Sequence, residues 1–389
     1  MPSGKPYILF CAGEDSGDAL GESLVKAVAL DGRLGAIGAG GGRMRNAGLR
    51  PVVDYEDLPV SGFGDVLPRY FRLRRSFATL KKALESRDCL GLVAIDYPGF
   101  NMKLVALAGK LRKPSLYVAP PQVWAWKKRR AETLSKNPFV KLAVFFDFEE
   151  RVYKEAGCNV ERVQHPFVNS EFRIPNSEFD VSSLVSRLSS KILLLPGSRK
   201  SQALRNLPVY LEAVPDLREA VIVAARQELV PAFEKYGVPV VLAPPNAYDR
   251  ASLYRSAGFA ITAPGTATLE LALSGCPMAV CTKPDLLTYV LGRLFIRTRH
   301  FALPNIILNR HVFQEYILSP FGGFQRRCPI MSGMTNGNDG AKALCTAQVS
   351  GMTGALEVAK VLREKLAAEK SLDALMAEFL RQFVECQPQ

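Results

Sequence analysis

Two short segments constrain this chain more than any others: Leu195–Gln202, reading LPGSRKSQ, and Ala263–Leu273, reading APGTATLELAL. Each places glycine and small residues where an apolar run gives way to a run of helix formers. The pattern predicts a strand, a turn rich in backbone N–H groups, and a helix. Such a turn is an anion site, because the first helical N–H groups lack intrahelical partners and the helix dipole adds positive potential. Two of them in one half of a chain predict a diphosphate held from two sides. Neither segment contains GxxxxGK[ST], and neither carries GxGxxG.

The rest of the chain repeats the same alternation. Strands are expected at Tyr7–Ala12, Leu34–Gly38, Leu90–Asp96, Ser115–Val118, Leu142–Phe146 and Glu161–Val163, with helices between them. Polar, Ser-rich residues 169–188 read as a crossover, after which strands recur at Lys191–Leu195, Val221–Ala224, Val238–Leu242, Gly258–Thr262 and Pro277–Cys281. Apolar strands alternating with helices imply parallel sheets covered on both faces. With 389 residues and 48% hydrophobic content the chain can bury two cores. The expected architecture is α/β: a doubly wound, Rossmann-like domain over 1–170, a second over 189–350, and a helical segment over 351–389 packing on the body. Ligands of such sheets bind at the carboxyl ends of the strands.

A net charge of +13 favours nucleic acid, anionic lipid or phosphorylated substrates as partners. The eight cysteines are scattered and form no CxxC, which predicts reduced thiols in a cytoplasmic protein. Cys11 and Cys281 lie in apolar runs and read as core packing. None of the three histidines is spaced with cysteines or carboxylates as zinc ligands would be, so no metal is expected. The N-terminal apolar run is short and acidic residues follow at once, unlike a signal peptide. No apolar run approaches the ~20 residues that span a bilayer, so membrane contact is expected to be peripheral.

Several side chains fit a nucleotide-sugar site. Ser198 and Arg199 read as diphosphate ligands, Arg199 through its bidentate guanidinium. Gly265, Thr266 and Thr268 offer N–H and hydroxyl groups to the same phosphates, and Glu270, one turn on, offers a carboxylate to sugar hydroxyls. The competing reading of Glu270 is a first-turn acid that stabilises the helix dipole. In the first half, Asp96 ends an apolar run and precedes Tyr97-Pro98, where a base is placed to take a proton from an attacking hydroxyl. A helix cap or turn former is the alternative. Gly13, Ser16, Gly17 and Asp18 stand at the first helix N-terminus and read either as acceptor ligands or as simple capping groups. His165, before a proline, reads as structural or as an alternative base. Phe63, Val66, Leu67, Tyr70, Phe71 and Leu73 interleave with Arg69, Arg72, Arg74 and Arg75. An apolar face rimmed by arginine suits an anionic interface; an ordinary amphipathic helix with a solvated basic side is the rival. No nucleic-acid fold signature accompanies this run or Lys127–Arg130.

An ordered set of motifs resembles the lipid-A-disaccharide synthase family. They are AGEDSGD at 12–18, AIDYPGFN at 94–101, PPQVWAW at 120–126, FDFEE at 146–150, QHP at 164–166, LLPGSRKSQ at 194–202, PGTATLELAL at 264–273 and LPN at 303–305. The resemblance implies two Rossmann-like domains facing a cleft, the GT-B architecture. It implies an inverting transferase of outer-membrane lipid A assembly that joins UDP-2,3-diacylglucosamine to 2,3-diacylglucosamine 1-phosphate (lipid X) and releases UDP. It implicates Asp96 in catalysis, likens Glu270 to the ribose-binding glutamate of this transferase class, and places Asn305 near the donor. Because both substrates carry acyl chains, it implies work at an anionic membrane surface, on the cytoplasmic face of the inner membrane. No cofactor, metal or nucleic acid is implied, and a homodimer is left open. Gly99, Gln164 and Pro264 depart from the family pattern, the first by removing a second acid from the Asp96 loop. Rival readings are a lipid-linked UDP-N-acetylglucosaminyltransferase, a UDP-sugar 2-epimerase of the same fold, and a non-enzymatic lipid- or nucleic-acid-binding protein.

Overall fold

Runs such as YILFCA and CLGLVAI are apolar on both faces, and a strand of that kind needs helices above and below it. The computed structural model describes residues 5–55, 58, 66–124, 129–169, 191–286, 288–290, 299–318, 324–326 and 354–383. The chain divides into two units, Met1–Pro166 together with Leu366–Gln389, and Phe167–Lys365.

The first unit begins with β1 (Tyr7–Ala12), α1 (Asp15–Asp31), β2 (Gly35–Ala39), α2 (Gly42–Asn46), β3 (Arg50–Pro51) and α3 (Val66–Glu85). It continues with β4 (Cys89–Ile95), α4 (Pro98–Lys110), β5 (Ser115–Val118), α5 (Arg129–Ser135), β6 (Val140–Val144), α6 (Asp147–Glu155) and β7 (Val160–Arg162). The strands form a parallel sheet in the order β3-β2-β1-β4-β5-β6-β7. Every residue of β1 is buried. After β1 the chain winds toward β2 and after β4 toward β5, so the loops at the carboxyl ends of these two neighbours diverge and leave a crevice.

The second unit repeats this plan. It contains β8 (Ile192–Leu195), α7 (Lys200–Glu212), β9 (Ala220–Ala224), α8 (Val230–Glu234), β10 (Val240–Leu242), α9 (Ala247–Arg255), β11 (Phe259–Thr262) and α10 (Thr266–Leu273). Then come β12 (Met278–Thr282), α11 (Leu303–Leu308), β13 (Gln314–Leu318) and β14 (Phe324–Arg326). The order β10-β9-β8-β11-β12-β13-β14 places its switch point between β8 and β11. All pairings are parallel except β13 with β14. The strand at Phe324–Arg326 lies in a stretch whose glycine content predicts irregular chain, and β3 and β13 were likewise not legible. The expected crossover falls almost wholly outside the described residues, as do 327–353.

The C-terminal segment differs most from expectation. It is two helices, α12 (Ala355–Leu366) and α13 (Leu372–Arg381), and the division between units falls at the last residue of α12. Ser371 restarts the helix by accepting the Ala374 N–H at 3.1 Å, a standard N-cap. α13 then packs on the first sheet, where a Cβ at Gly91 would meet Phe383 at 2.8 Å and Phe379 at 3.3 Å. Lys141 bonds Glu161 at 2.6 Å and Glu378 at 2.8 Å, and Lys370 bonds Glu378 at 2.7 Å and also pairs with Glu161. The first unit is therefore built from both ends of the chain. Cys11 and Cys281 are buried and free, as their apolar runs predict, and burial pushes the Cys281 thiol up to about 12.

Hydrogen bonds from Lys141 and Lys370 hold the Glu378 carboxyl down at about 2, against an ordinary 4.5. Its contribution is complete above 4.5 and is lost as the pH falls through about 2. Glu378 is half exposed, so the worth of this ring is about 1 kcal/mol. Urea unfolding of wild type and Glu378→Gln is expected to differ by that amount at pH 7, with the difference shrinking steadily below pH 4.5. A difference independent of pH would contradict it.

Candidate active site

β8 and β11 are hydrogen-bonded neighbours, with Leu195 opposite Thr262 and the Ala263 N–H donating to the Leu195 carbonyl at 2.9 Å. The two glycine turns therefore leave the sheet side by side, at the switch point. Gly197 has φ 119° and Gly265 φ 147°, conformations open to glycine and strained for any other residue. A Cβ at Gly265 would touch nothing, so backbone conformation alone requires glycine there. Ser198, Arg199, Gly265 and Thr266 are exposed. Neither Arg199 nor Gly265, the residues before α7 and α10, caps its helix with a side chain, and the Thr268 N–H donates to the Gly265 carbonyl at 3.1 Å.

Three of the nucleotide-site expectations take another form. Thr268 is buried and its hydroxyl donates back to the Gly265 carbonyl at 2.7 Å, so it shapes the turn instead of facing a phosphate. Asn305 is fully buried: its Oδ1 accepts the Val312 and Phe313 N–H groups at 3.0 and 2.9 Å, and its Nδ2 donates to the Phe313 carbonyl at 2.8 Å. That side chain pins the loop after α11 and is withdrawn from donor contact. Glu270 is clamped by Arg250, whose Nε lies 3.1 Å from both oxygens and whose Nη2 lies 2.7 Å from Oε1. Arg250 is itself anchored on the Pro244 and Pro245 carbonyls at 3.0 and 2.8 Å. No motif in the chain points to Arg250. The clamp fixes the carboxylate beside a small pocket lined by Ala247, Ala251, Leu273, Ser274 and Arg363, and a carboxylate retains acceptor sites beyond a bidentate pair.

In the first unit, Asp96 follows β4 and stands half-buried beside the loop after β1, with the Ser16 hydroxyl 3.5 Å from its Oδ2. Asp96 and Tyr97 both have φ 48°, two consecutive side-chain-bearing residues in the left-handed region, a cost that surrounding bonds must hold in place. The Asp96 N–H donates to the Val118 carbonyl at 2.9 Å. Its carbonyl accepts from the Tyr117 hydroxyl at 3.1 Å and the Asn101 amide at 2.9 Å. The Tyr97 ring lies over Gly13, where a Cβ would come within 2.3 Å of it; that glycine admits the ring. Gly17 packs α1 on the sheet, its would-be Cβ 3.3 Å from Ala12. Asp18 does not face an acceptor. It is buried, and its two oxygens accept the Arg43 and Met44 N–H groups at 3.0 and 3.1 Å, which caps α2. A Cβ at Gly99 would meet nothing within 4 Å, so the second acid missing there leaves open space.

Three signature motifs meet in one cluster of this unit. The Trp124 Nε1 donates to Glu149 Oε1 at 3.4 Å, and the Trp124 ring packs edge-on against Phe148, 5.3 Å between centroids. Phe148 stacks on Phe146, and His165 lies against Phe145 and Phe146. Burial pushes His165 down to about 3, which makes it a neutral packing ring and a feeble base. Glu149 is a second residue that sequence reasoning missed. Burial, reinforced by the charge of Asp96, pushes it up to about 7, against hydrogen bonds from Trp124 and the backbone that favour its ionised form. The only available signal was an acid that follows Phe146-Asp147-Phe148 in the first turn of a helix.

α3 turns Leu73 and Phe77 onto the core and leaves Phe71 60% exposed among exposed Arg72, Arg74 and Arg75. Phe63 and the side chains of Val66, Leu67, Arg69 and Tyr70 lie outside the described residues, as does 125–128. Among the described residues no helix is long and apolar enough to cross a membrane.

Residues 8–321 match the family model described as Lipid-A-disaccharide synthetase. The chain is 34% identical over 330 residues to a lipid-A-disaccharide synthase from Trichlorobacter lovleyi, covering 82% of this chain and 85% of that one. It is 34% identical over 322 residues to the synthase of that name from Geobacter sulfurreducens, covering 80% and 83%. Among solved structures it resembles Phytolacca americana UGT2 complexed with UDP-2fluoro-glucose and pterostilbene, with TM-score 0.55, 12% identity and coverage of 98% and 100%. It also resembles a UDP-N-acetylglucosamine 2-epimerase from Listeria monocytogenes, with TM-score 0.55, 10% identity and coverage of 99% and 98%. At these identities the structures speak to fold alone, and the fold is that of GT-B proteins.

The Glu149 position has a measurable consequence. With its carboxyl at about 7 instead of 4.5, the folded state binds the proton more tightly than the unfolded chain. Stability is then lost as the pH rises from 4.5 to 7. Glu149→Gln lacks this loss, so its stability relative to wild type is expected to rise by about 3 kcal/mol across that window. Parallel denaturant titrations check this, and a flat difference would contradict it; His165 contributes equally to both proteins.

Proposed function

The chain belongs to the Lipid-A-disaccharide synthetase family and is a GT-B glycosyltransferase that joins UDP-2,3-diacylglucosamine to lipid X, and we propose that it does so with Asp96 as base and the paired turns of the second unit as the cradle of departing UDP. The observation that supports this reading is the direct pairing of β8 with β11, which sets two helix N-termini side by side.

In the proposed reaction the acceptor's primary hydroxyl gives its proton to the Asp96 carboxylate. The oxygen attacks the anomeric carbon of the donor from the face opposite UDP, the bond to the UDP oxygen breaks, and the new linkage is β. Arg199 and the N–H groups that open α7 and α10 take up the charge developing on the diphosphate, where fixed donors act without reorganising. The Arg250-held Glu270 carboxylate offers acceptors to sugar hydroxyls. Ser16, with the N–H groups near Gly13 and Gly17, is the proposed acceptor contact in the loop beside Asp96. Fixed orientation of the hydroxyl, the base and the anomeric carbon carries much of the rate. The family match leaves the epimerase, the N-acetylglucosaminyltransferase and the non-enzymatic binding protein without support.

Exposed Phe71 amid Arg72, Arg74 and Arg75 supports a peripheral docking face for an anionic membrane. This fits acyl-chain substrates and a place at the cytoplasmic face of the inner membrane.

Incubation with both lipid substrates, followed by mass spectrometry, should give a tetra-acyl disaccharide phosphate. Asp96→Asn is expected to slow its formation by roughly 100-fold or more with UDP affinity retained, whereas Arg199→Ala should weaken UDP binding itself. Near-normal turnover in the first variant, or unchanged UDP affinity in the second, would remove that residue from its role.

A further inference from the structure

The segment around α11 holds two of the chain's three histidines. His300 precedes the helix, while His311 and Glu315 follow it. Each offers a ligating atom, and these atoms lie within 4.8 Å of one another. We propose that His300, His311 and Glu315 bind a divalent first-row transition-metal ion, zinc foremost, as a site that clasps the two ends of the α11 segment.

The hydrogen bonds around the cluster assign each group its part. Glu315 is fully buried, and its Oε1 accepts the N–H groups of Phe301 and Ala302, at 2.9 and 2.6 Å. That fixes the carboxylate and turns Oε2 toward His300, whose Nδ1 is 3.2 Å away. His311 Nε2 lies 3.3 Å from the Gln314 side-chain oxygen. An oxygen there selects the tautomer with hydrogen on Nε2 and a lone pair on Nδ1. That Nδ1 is buried and has no hydrogen-bond partner among the described residues. A buried acceptor without a donor is costly, and a metal ion satisfies it. An imidazole whose other nitrogen donates to a side-chain oxygen is the arrangement usual for metal-bound histidine.

The two imidazoles lie 5.9 Å apart between centroids, tilted by 25°. Ligands on one tetrahedral zinc sit about 3.4 Å apart, given bonds of about 2.05 Å. The most widely spaced atoms, within 4.8 Å of one another, must therefore draw together by up to about 1.4 Å, a movement within reach of side-chain torsions. Two imidazoles and one carboxylate select zinc-like ions over magnesium or calcium, which prefer all-oxygen shells. A protonated His300 paired with Glu315 is the rival arrangement. It leaves the His311 nitrogen unsatisfied.

Sequence spacing hides such a site, because the ligands are separated by a short helix and a loop. Asn305 folds that loop back on α11 through the Val312 and Phe313 backbone. The proposed ion takes no part in glycosyl transfer, so binding is the readout. Chelator-stripped full-length protein, titrated with Zn²⁺ in a calorimeter, is expected to take up one ion per chain and to melt at a higher temperature. Mg²⁺ should do neither. Co²⁺ should give the visible spectrum of nitrogen and oxygen ligands without an intense thiolate band. His300→Ala and His311→Ala should each weaken Zn²⁺ binding by at least about 100-fold, and Gln314→Ala by about 10- to 100-fold. Absent Zn²⁺ uptake, a cobalt–thiolate band, or equal affinity in the histidine variants would overturn the proposal. The wild-type cobalt spectrum decides the matter even where a variant folds poorly.

Discussion

Hydrogen bonding between strands distant in sequence is the constraint on which the rest depends. β1 pairs with β4, and β8 with β11, and in each case two intervening strands are laid down on the far side first. This ordering sends the loops after the paired strands in opposite directions and leaves a crevice at their carboxyl ends. Asp96 and Ser16 stand at one such point, the glycine turns at Gly197 and Gly265 at the other. Chemistry collects there because a parallel sheet exposes strand ends and helix N-termini at the same edge.

The apolar strand runs were legible because parallel strands buried on both faces need continuous hydrophobic residues. Their endpoints fall within a residue or two of expectation. The short strands β3 and β14 were not legible, since two or three residues carry no period. The break between α12 and α13 was hidden for a different reason: helical composition is continuous there, although α12 stops at Leu366 and Ser371 caps a new helix. What decides that α13 joins the first unit is its packing at Gly91 and the ring of Lys141, Glu161, Lys370 and Glu378, partners that lie more than half the chain away.

At the candidate site, residue type and position made the turns legible, but not which side chains in them are already bonded. Ser198, Arg199, Gly265 and Thr266 lie exposed on the turns expected to hold phosphate. Asp18, Thr268 and Asn305 sit in the same motifs, yet spend their polar atoms on backbone groups that would otherwise be buried unpaired. A polar residue in a functional loop has both uses open to it, and only the hydrogen-bond partners separate them. Arg250 and Glu149 show the converse. Their surroundings, a carboxylate clamp and a buried aromatic cluster, come together only in three dimensions.

Two adjacent helix N-termini gripping one diphosphate can be seen in a crystal structure of the chain with UDP. Pyrophosphate oxygens are expected within hydrogen-bonding reach of backbone N–H groups in both the Gly197–Arg199 and the Gly265–Thr266 turns. A pyrophosphate bound elsewhere, or held by one turn with the other left in water, would contradict it.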